Sequence, residues 1–328
     1  MAIITVQSFY LLPSTSCFRF SNSPAPSSLS THRFKPTPIR CLASANPPPL
    51  QMNSSDDAER KRFMEFPYAS SSVRDLMVDL FSTVEERLKS ELLPCSLPND
   101  VRYFTNQSGT AQNSLYIRSA NKPSKVEFIL GNWLHSNLPS GGSLNITSLS
   151  CYLSTATDAP NFLIELIQSS PDSLILILDV PPRKDLVLHP EYLQIYYEET
   201  QTDKHRQLLL KVPEIQPYNS SSLYIRSVVS PTAVLISVQT GVDGEGRMEE
   251  IVKENVTPAA KELLALWLDK CVCGGDRVAE VDMETLAARD RMVRRKSIEI
   301  DLGSAFPKLF GEEVASRVLD VMRVAFGV

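Results

Sequence analysis

Short apolar runs, alternating with polar positions, dominate the middle of the chain. The runs cover residues 114–119, 125–134, 143–154, 161–168, 172–180, 221–229 and 232–239. Runs of this length with a period of two residues are typical of β-strands. The gaps between the first five runs are too short to hold crossover helices, so the pattern predicts an antiparallel meander.

Helical spacing appears on both sides of this region and once within it. Apolar residues recur every three or four positions over 73–88, where Ser72 and Asp75 resemble a capping box. We predict further helices within 189–211, after an N-cap at Thr257 with Pro258 at the first position, and over about 281–298 and 311–326. Helices before and after a sheet can cover both of its faces, so we predict an α/β/α sandwich around a largely antiparallel sheet.

The N-terminal region differs from the rest in composition. Residues 1–55 contain no Asp or Glu, are rich in Ser, Thr and Pro, and carry Arg19, Arg33, Lys35 and Arg40. This composition is typical of an organellar transit peptide. We predict a plastid transit peptide over 1–40, a disordered linker over 41–60 and a single catalytic domain over 61–328. A mitochondrial peptide is the next alternative, and a secretory signal is disfavoured because the basic n-region is missing.

Charge and motifs exclude several classes of protein. The formal net charge is −5, and removal of residues 1–40 would change it to −9, so no nucleic-acid-binding surface is indicated. Nucleotide-binding, nucleophile-elbow and zinc-protease motifs are absent from the sequence. The pair Cys271 and Cys273 is spaced too closely for a usual zinc site. We therefore predict no bound metal, flavin or nicotinamide.

Glu165 lies in the apolar run 161–168, between Leu163 and Ile167 on the same predicted face of a strand. If it is buried there, we expect its pKa to rise, so that the carboxyl could donate a proton at neutral pH. Two alternatives stay open at this point. Glu165 could face solvent at a sheet edge, or it could pair with a buried arginine.

A second carboxylate, Asp301, lies near the end of the segment "RRKSIEIDL" (294–302), in which three cations precede two acids. A solvated basic turn with local ion pairs explains this pattern equally well. Neither carboxylate alone identifies a reaction.

Six long segments together carry a resemblance. The chain resembles the red chlorophyll catabolite reductase family, plant plastid enzymes distantly similar to the ferredoxin-dependent bilin reductases, from Lys61 to Val328. The segments are "KRFMEFPY" (61–68), "GSLNITS" (142–148), "APNFLIELIQSS" (159–170), "LILDVPPRKDLVLHPEYL" (176–193), "RRKSIEIDL" (294–302) and "FPKLFGEEVASRV" (306–318).

The resemblance implies an α/β/α sandwich that acts as a homodimer in the chloroplast stroma, with a minor mitochondrial pool left open. It implies reduction of red chlorophyll catabolite, an open-chain tetrapyrrole, at the C1/C20 double bond, a CH–CH group. The product is the primary fluorescent catabolite. Electrons would come from reduced ferredoxin with no cofactor bound to the enzyme. Association with other chlorophyll-breakdown enzymes at the thylakoid surface is left open.

The same resemblance assigns site residues. Glu165 and Asp301 match the family's catalytic, substrate-binding acids, and Val229 matches a position believed to influence which C1 epimer forms. A plain core valine in a strand is the alternative for Val229. Because ferredoxin is acidic, we expect a basic docking patch. The candidates are Arg183 with Lys184, Lys204 with Arg206, and Arg294 with Arg295 and Lys296. The alternative for any one of these clusters is that it binds the carboxylates of the pigment.

Two other functions remain open. A non-catalytic tetrapyrrole carrier would need a pocket but no acids, so an exposed Glu165 would favour it. A bilin reductase acting on a biliverdin-type substrate is the second alternative, and substrate competition would discriminate it.

Overall fold

The structure is a computed structural model that describes residues 54–139, 141–241, 244, 246–274 and 280–328. The predicted transit peptide and most of the predicted linker lie outside the described residues. The described chain begins with helix α1 (Ser54–Phe63), which starts before the predicted domain boundary.

A nine-stranded sheet is the centre of the described fold. Neighbouring strands are antiparallel throughout, in the order β1-β3-β4-β5-β6-β7-β9-β8, with β2 paired to β3. The strands are β1 (Leu92–Cys95), β2 (Tyr103–Thr105), β3 (Ala111–Ala120), β4 (Val126–Asn137), β5 (Ser143–Leu153), β6 (Phe162–Ser170), β7 (Ser173–Asp179), β8 (Ile215–Pro217) and β9 (Val234–Gln239).

The predicted meander is confirmed from β3 to β7. Each of these strands pairs with the next along the chain, and a tight turn at 171–172 joins β6 to β7. The sequence pattern misses β1, β2 and β8, which are only three or four residues long. Such short strands give no measurable alternation, and pairing with a neighbouring strand decides their conformation.

Helices cover both faces of the sheet. They are α2 (Ser71–Arg87), α3 (Asn99–Arg102), α4 (Pro190–Leu193), α5 (Asp203–Leu209), α6 (Leu223–Val228), α7 (Arg247–Ile251), α8 (Thr257–Trp267), α9 (Glu280–Ser297), α10 (Gly303–Phe310) and α11 (Glu312–Phe326). The π-helical segments Gln194–Glu198, Val252–Val256, Leu268–Cys273 and Ile298–Leu302 adjoin them.

Two apolar clusters show which helices lie on which face. Ile164 and Leu166 of β6 pack with residues of α2, α7 and α8. Leu163 and Ile167 of the same strand pack with residues of α10 and α11. Because successive strand residues point to opposite faces, the two clusters lie on opposite sides of the sheet. The predicted α/β/α sandwich is confirmed, and we call the side of Leu163 and Ile167 the C-terminal face.

The hexapeptide "SLYIRS" occurs twice and adopts two structures. At 114–119 it lies within β3, whereas at 222–227 it forms the start of α6, so the strand predicted over 221–229 is wrong. The first copy is held by hydrogen-bonded pairing with β4. In the second copy, Ser222 Oγ accepts a hydrogen bond from the N–H of Ile225 at 3.4 Å and caps a helix.

Two predicted helix starts are also wrong. Helix α2 begins at Ser71, and the N–H of Ser72 donates to Glu249 Oε2 at 2.8 Å, so a carboxylate from α7 replaces the predicted local capping box. Thr257 is not an N-cap, because the helical path runs continuously from Arg247 to Cys273. Pro258 has no backbone N–H to donate, and the wider π-helical turn before it lets the helix continue without that hydrogen bond.

Candidate functional site

Glu165 is completely buried on the C-terminal face of β6. Its relative exposure is 0%, and its cross-strand neighbours are Ser148 of β5 and Ile177 of β7. The open possibility of a solvent-facing position at a sheet edge is therefore wrong. β6 is a central strand with a partner on each side, and the apolar residues Leu163 and Ile167 flank the carboxyl.

A row of buried polar side chains leads to this carboxyl. Asn132 of β4, Ser148 and Glu165 stand in register across three strands, and each has a relative exposure of 0%. In the amide orientation that satisfies its neighbours, Asn113 donates to Asn132 Oδ1 at 3.0 Å. Polar groups are costly to bury, so a polar row through an apolar face is a feature of a site more than of a plain core.

Asp301 lies in the π-helical segment Ile298–Leu302, directly after α9. Ile298 and Leu302 are both 3% exposed and belong to the cluster that contains Leu163 and Ile167. The segment that carries Asp301 therefore packs on the face that buries Glu165, and it is not a fully solvated turn. The side chain of Asp301 lies outside what the structure describes.

A narrow cleft lies between α9 and the C-terminal face of the sheet. Leu163 lines the cleft, and Glu165 lies two residues further along the same face, about 7 Å away. The lining residues are Ser150, Tyr152, Asn161, Phe162, Leu163, Pro181, Pro182, Val228, Arg289, Asp290, Val293 and Arg294.

A buried ion pair joins α9 to Arg183, which lies in the segment after β7 and also contacts the loop after β5. Arg183, which is 1% exposed, donates from Nη2 to Asp290 Oδ2 at 2.5 Å. Its Nη1 also donates to the carbonyl oxygens of Thr157 at 2.7 Å and Ser154 at 3.2 Å. One guanidinium thereby joins the helix to the loop, and this contact fixes one wall of the cleft.

Arg294 forms the adjacent part of the wall. It is 5% exposed, and its Nη2 pairs with Glu127 Oε2 at 2.5 Å. The guanidinium carbon lies 5.2 Å from the ring centroid of Phe128 and 5.3 Å from that of Tyr152. Cation–π contacts with two rings and an ion pair at one end give this side chain a fixed position.

Val229 does not lie in a strand, because it directly follows α6. It is half-buried against the cluster on the C-terminal face, and its neighbour Val228 lines the cleft. The next residue, Ser230, donates through its N–H to Asp179 Oδ2 at 2.9 Å and through Oγ to Oδ1 at 2.5 Å. The chain around Val229 is therefore tied to the end of β7, beside the cleft.

Asp179 is a titratable group that sequence reasoning missed. It is 1% exposed, faces Leu163 across the strands, and is a diagonal neighbour of Glu165 on the same face. Burial raises its pKa to about 6, against the hydrogen bonds from Ser230 and the N–H of Val180, which lower it. The available signal was an acid at the end of the apolar run "SLILILDV".

This raised pKa predicts a pH dependence of stability. Between about pH 4 and pH 6 the unfolded chain has lost the Asp179 proton while the folded chain keeps it, so the free energy of unfolding falls as pH rises. Asp179 contributes up to roughly 3 kcal/mol to the free energy of unfolding below about pH 4, and this contribution is lost above about pH 6. In Asp179→Asn, denaturant titrations at a series of pH values should show a shallower slope in this window.

Asp282→Asn serves as the control, because Asp282 is exposed. Its slope should match that of the unmodified chain. An unchanged slope in Asp179→Asn would show that this carboxyl does not titrate in the window.

The structure corrects two of the candidate docking cations. Arg183 and Arg294 are buried and ion-paired, so neither can contribute to a surface patch for a protein partner. The remaining candidates are at least partly exposed: Lys184, Lys204, Arg206, Arg295 and Lys296. Four of these already form ion pairs with neighbouring acids, whereas Arg295 has no ion pair among the described residues.

No group of three or more His, Cys, Asp or Glu side chains that could bind a metal occurs in the described residues. No helix among those described is long and apolar enough to cross a membrane.

Comparisons with known proteins agree on one family. The family pattern described as red chlorophyll catabolite reductase (RCC reductase) matches residues 72–324. The chain is 50% identical over 315 residues to the chloroplastic red chlorophyll catabolite reductase of Arabidopsis thaliana, covering 95% of this chain and 98% of that protein. It is 45% identical to the chloroplastic red chlorophyll catabolite reductase 1 of Oryza sativa subsp. japonica over 78% of each protein.

A solved structure shares the fold. Phytochromobilin synthase from tomato, in complex with biliverdin, superposes with a TM-score of 0.58 at 13% sequence identity. The match covers 77% of this chain and 82% of that one. At this identity the similarity shows the architecture alone.

Proposed function

Because the chain belongs to the red chlorophyll catabolite reductase family, we propose that it reduces red chlorophyll catabolite at the C1/C20 double bond to the primary fluorescent catabolite. The observation that carries the proposal is a fully buried glutamate beside a cleft. Glu165 lies on a covered sheet face, and the segment that carries Asp301 packs on that face.

The reaction adds two electrons and two protons across one carbon–carbon double bond. We propose reduced ferredoxin as the external donor, delivering one electron at a time, with no cofactor bound to the enzyme. The first electron would give a pigment radical anion. Glu165 and Asp301 are proposed to protonate or stabilise the reduced pigment, because a carboxyl kept neutral by burial can donate its proton.

The proposal extends to partners and location. The relatives' chloroplastic names and the acid-free N-terminal region support a chloroplast location, which we place in the stroma. We further propose a homodimer as the active form. Docking of ferredoxin would use surface cations such as Arg295, since Arg183 and Arg294 are buried.

Val229 is proposed to influence which C1 epimer forms. It lies next to Val228, which lines the cleft, so a larger side chain would reduce the space on one side of the pigment. Val229→Phe should therefore change the ratio of C1 epimers, measured by chiral chromatography of the product. An unchanged ratio would show that Val229 does not influence which C1 epimer forms.

The experiment that tests the function is anaerobic turnover of red chlorophyll catabolite with reduced ferredoxin, followed by product fluorescence. We expect fluorescence that depends on both the pigment and the donor. A carrier would bind the pigment and give no product, and the burial of Glu165 counts against that alternative. A bilin reductase would consume biliverdin in preference to the red catabolite, which a competition assay would show.

A further inference from the structure

Two residues that line the cleft each have a buried polar atom without a hydrogen-bond partner. Ser150 is 2% exposed and Arg294 is 5% exposed, and both line the cleft. Ser150 Oγ and Arg294 Nε form no hydrogen bond in the described part of the protein. A buried donor without an acceptor is destabilising, so two of them side by side on the cleft wall indicate a missing acceptor.

The charges around the cleft leave one cation uncompensated. Asp290 is neutralised by Arg183, and Arg294 is neutralised by Glu127. Arg289, half-exposed on the same helix as Arg294, lines the cleft and forms no ion pair among the described residues. The cleft therefore has a net positive charge as well as free donors, which favours an anionic group that only accepts hydrogen bonds.

We propose that this cleft binds a carboxylate substituent of the open-chain tetrapyrrole. Ser150 Oγ and Arg294 Nε donate hydrogen bonds to the carboxylate. Arg289 supplies the positive charge that balances it, because the charge of Arg294 is already neutralised by Glu127. A carboxylate matches this set because it has two acceptor oxygens and a full negative charge. The inference rests on the proposed function, since it assigns one part of the same substrate.

The position of the cleft relates this anchor to the buried acid. Ser150 faces Leu163 across the strands, and Ser148 faces Glu165 one step further along. A substituent held at Ser150 would therefore place its ring system along the C-terminal face, toward Glu165. The anchor would act mainly on binding and orientation, and its loss should raise KM more than it lowers kcat.

The test uses the full-length chain with biliverdin, which carries two carboxylates, and biliverdin dimethyl ester, which carries none. Affinities are measured by absorbance titration. We expect the unmodified chain to bind the acid more tightly than the ester, and Arg289→Gln to weaken binding of the acid by about tenfold or more. Binding of the ester should remain unchanged. Ser150→Ala should act in the same direction.

A matched control is available on the same strand. Thr147 is also buried, and its hydroxyl lacks a partner in the described residues, but its strand position faces the opposite side of the sheet. Thr147→Val should leave the preference for the acid unchanged. Both Ser150→Ala and Thr147→Val remove an unsatisfied hydroxyl, so neither should destabilise the fold.

Equal affinity of the unmodified chain for acid and ester, or binding of neither, would overturn the proposal. An equal loss for both pigments in Arg289→Gln would overturn it too. These outcomes are separate from the reductase test. Turnover of red catabolite with an unchanged KM in Arg289→Gln rejects the anchor alone, and carboxylate-dependent binding without turnover rejects the reductase alone.

Discussion

Glu165→Gln should lower kcat for red catabolite by at least about a hundredfold, because proton transfer by a positioned side chain contributes roughly 10²–10⁴-fold. Glutamine keeps the size of the side chain and its hydrogen-bonding capacity but cannot transfer a proton. The pigment should therefore still bind with nearly unchanged affinity. The measurement is single-turnover fluorescence with saturating reduced ferredoxin, together with a binding titration.

Glu198→Gln provides the matched control. It makes the same chemical change at a side chain that is exposed, on the π-helical segment Gln194–Glu198. Its kcat should equal that of the unmodified chain. Asp301→Asn should also lower kcat if both acids participate. Full turnover in both Glu165→Gln and Asp301→Asn would reject the roles proposed for them.

Arg183→Met should produce the largest loss of stability among single substitutions near the cleft. It would leave Asp290 charged and buried without its partner, and it would remove donors from the carbonyls of Thr157 and Ser154. Breaking a buried pair from one side costs about 3–5 kcal/mol. The free energy of unfolding, measured by denaturant titration, should fall by that amount.

Two further variants separate this effect from a general sensitivity to arginine replacement. In Arg183→Met with Asp290→Leu, much of the lost stability should return, because no buried charge remains. Arg317→Met removes an exposed ion pair with Asp100 and should change stability little. A loss in Arg183→Met no larger than in Arg317→Met would show that the buried pair does not stabilise the helix.

The sequence predicts the central sheet well, since strands β3 to β7 bury residues on both faces and pair with their neighbours in chain order. Alternation and short turns are local properties, and they determine this arrangement. The conformation of the second copy of "SLYIRS" depends on more than its local sequence. The same six residues form a strand where β4 supplies pairing and a helix where Ser222 supplies a cap.

The sequence also reveals some residues of the candidate site and not others. Glu165 is visible in the sequence because a carboxylate interrupts an apolar run, and the structure confirms its burial. Arg183 and Arg294 look like surface cations because their partners, Asp290 and Glu127, are 107 and 167 residues away along the chain. Such pairings depend on how α9 packs against the sheet, which no local pattern specifies.

We propose that Glu165 is a protonated carboxyl beside the bound pigment before reduction begins. Infrared difference spectroscopy of the pigment complex at neutral pH measures this directly, since a neutral carboxyl has its own C=O stretch. We expect such a band in the unmodified chain and its loss in Glu165→Gln. A carboxylate signal from Glu165 in place of that band would show that this side chain is ionised and is not the proton donor.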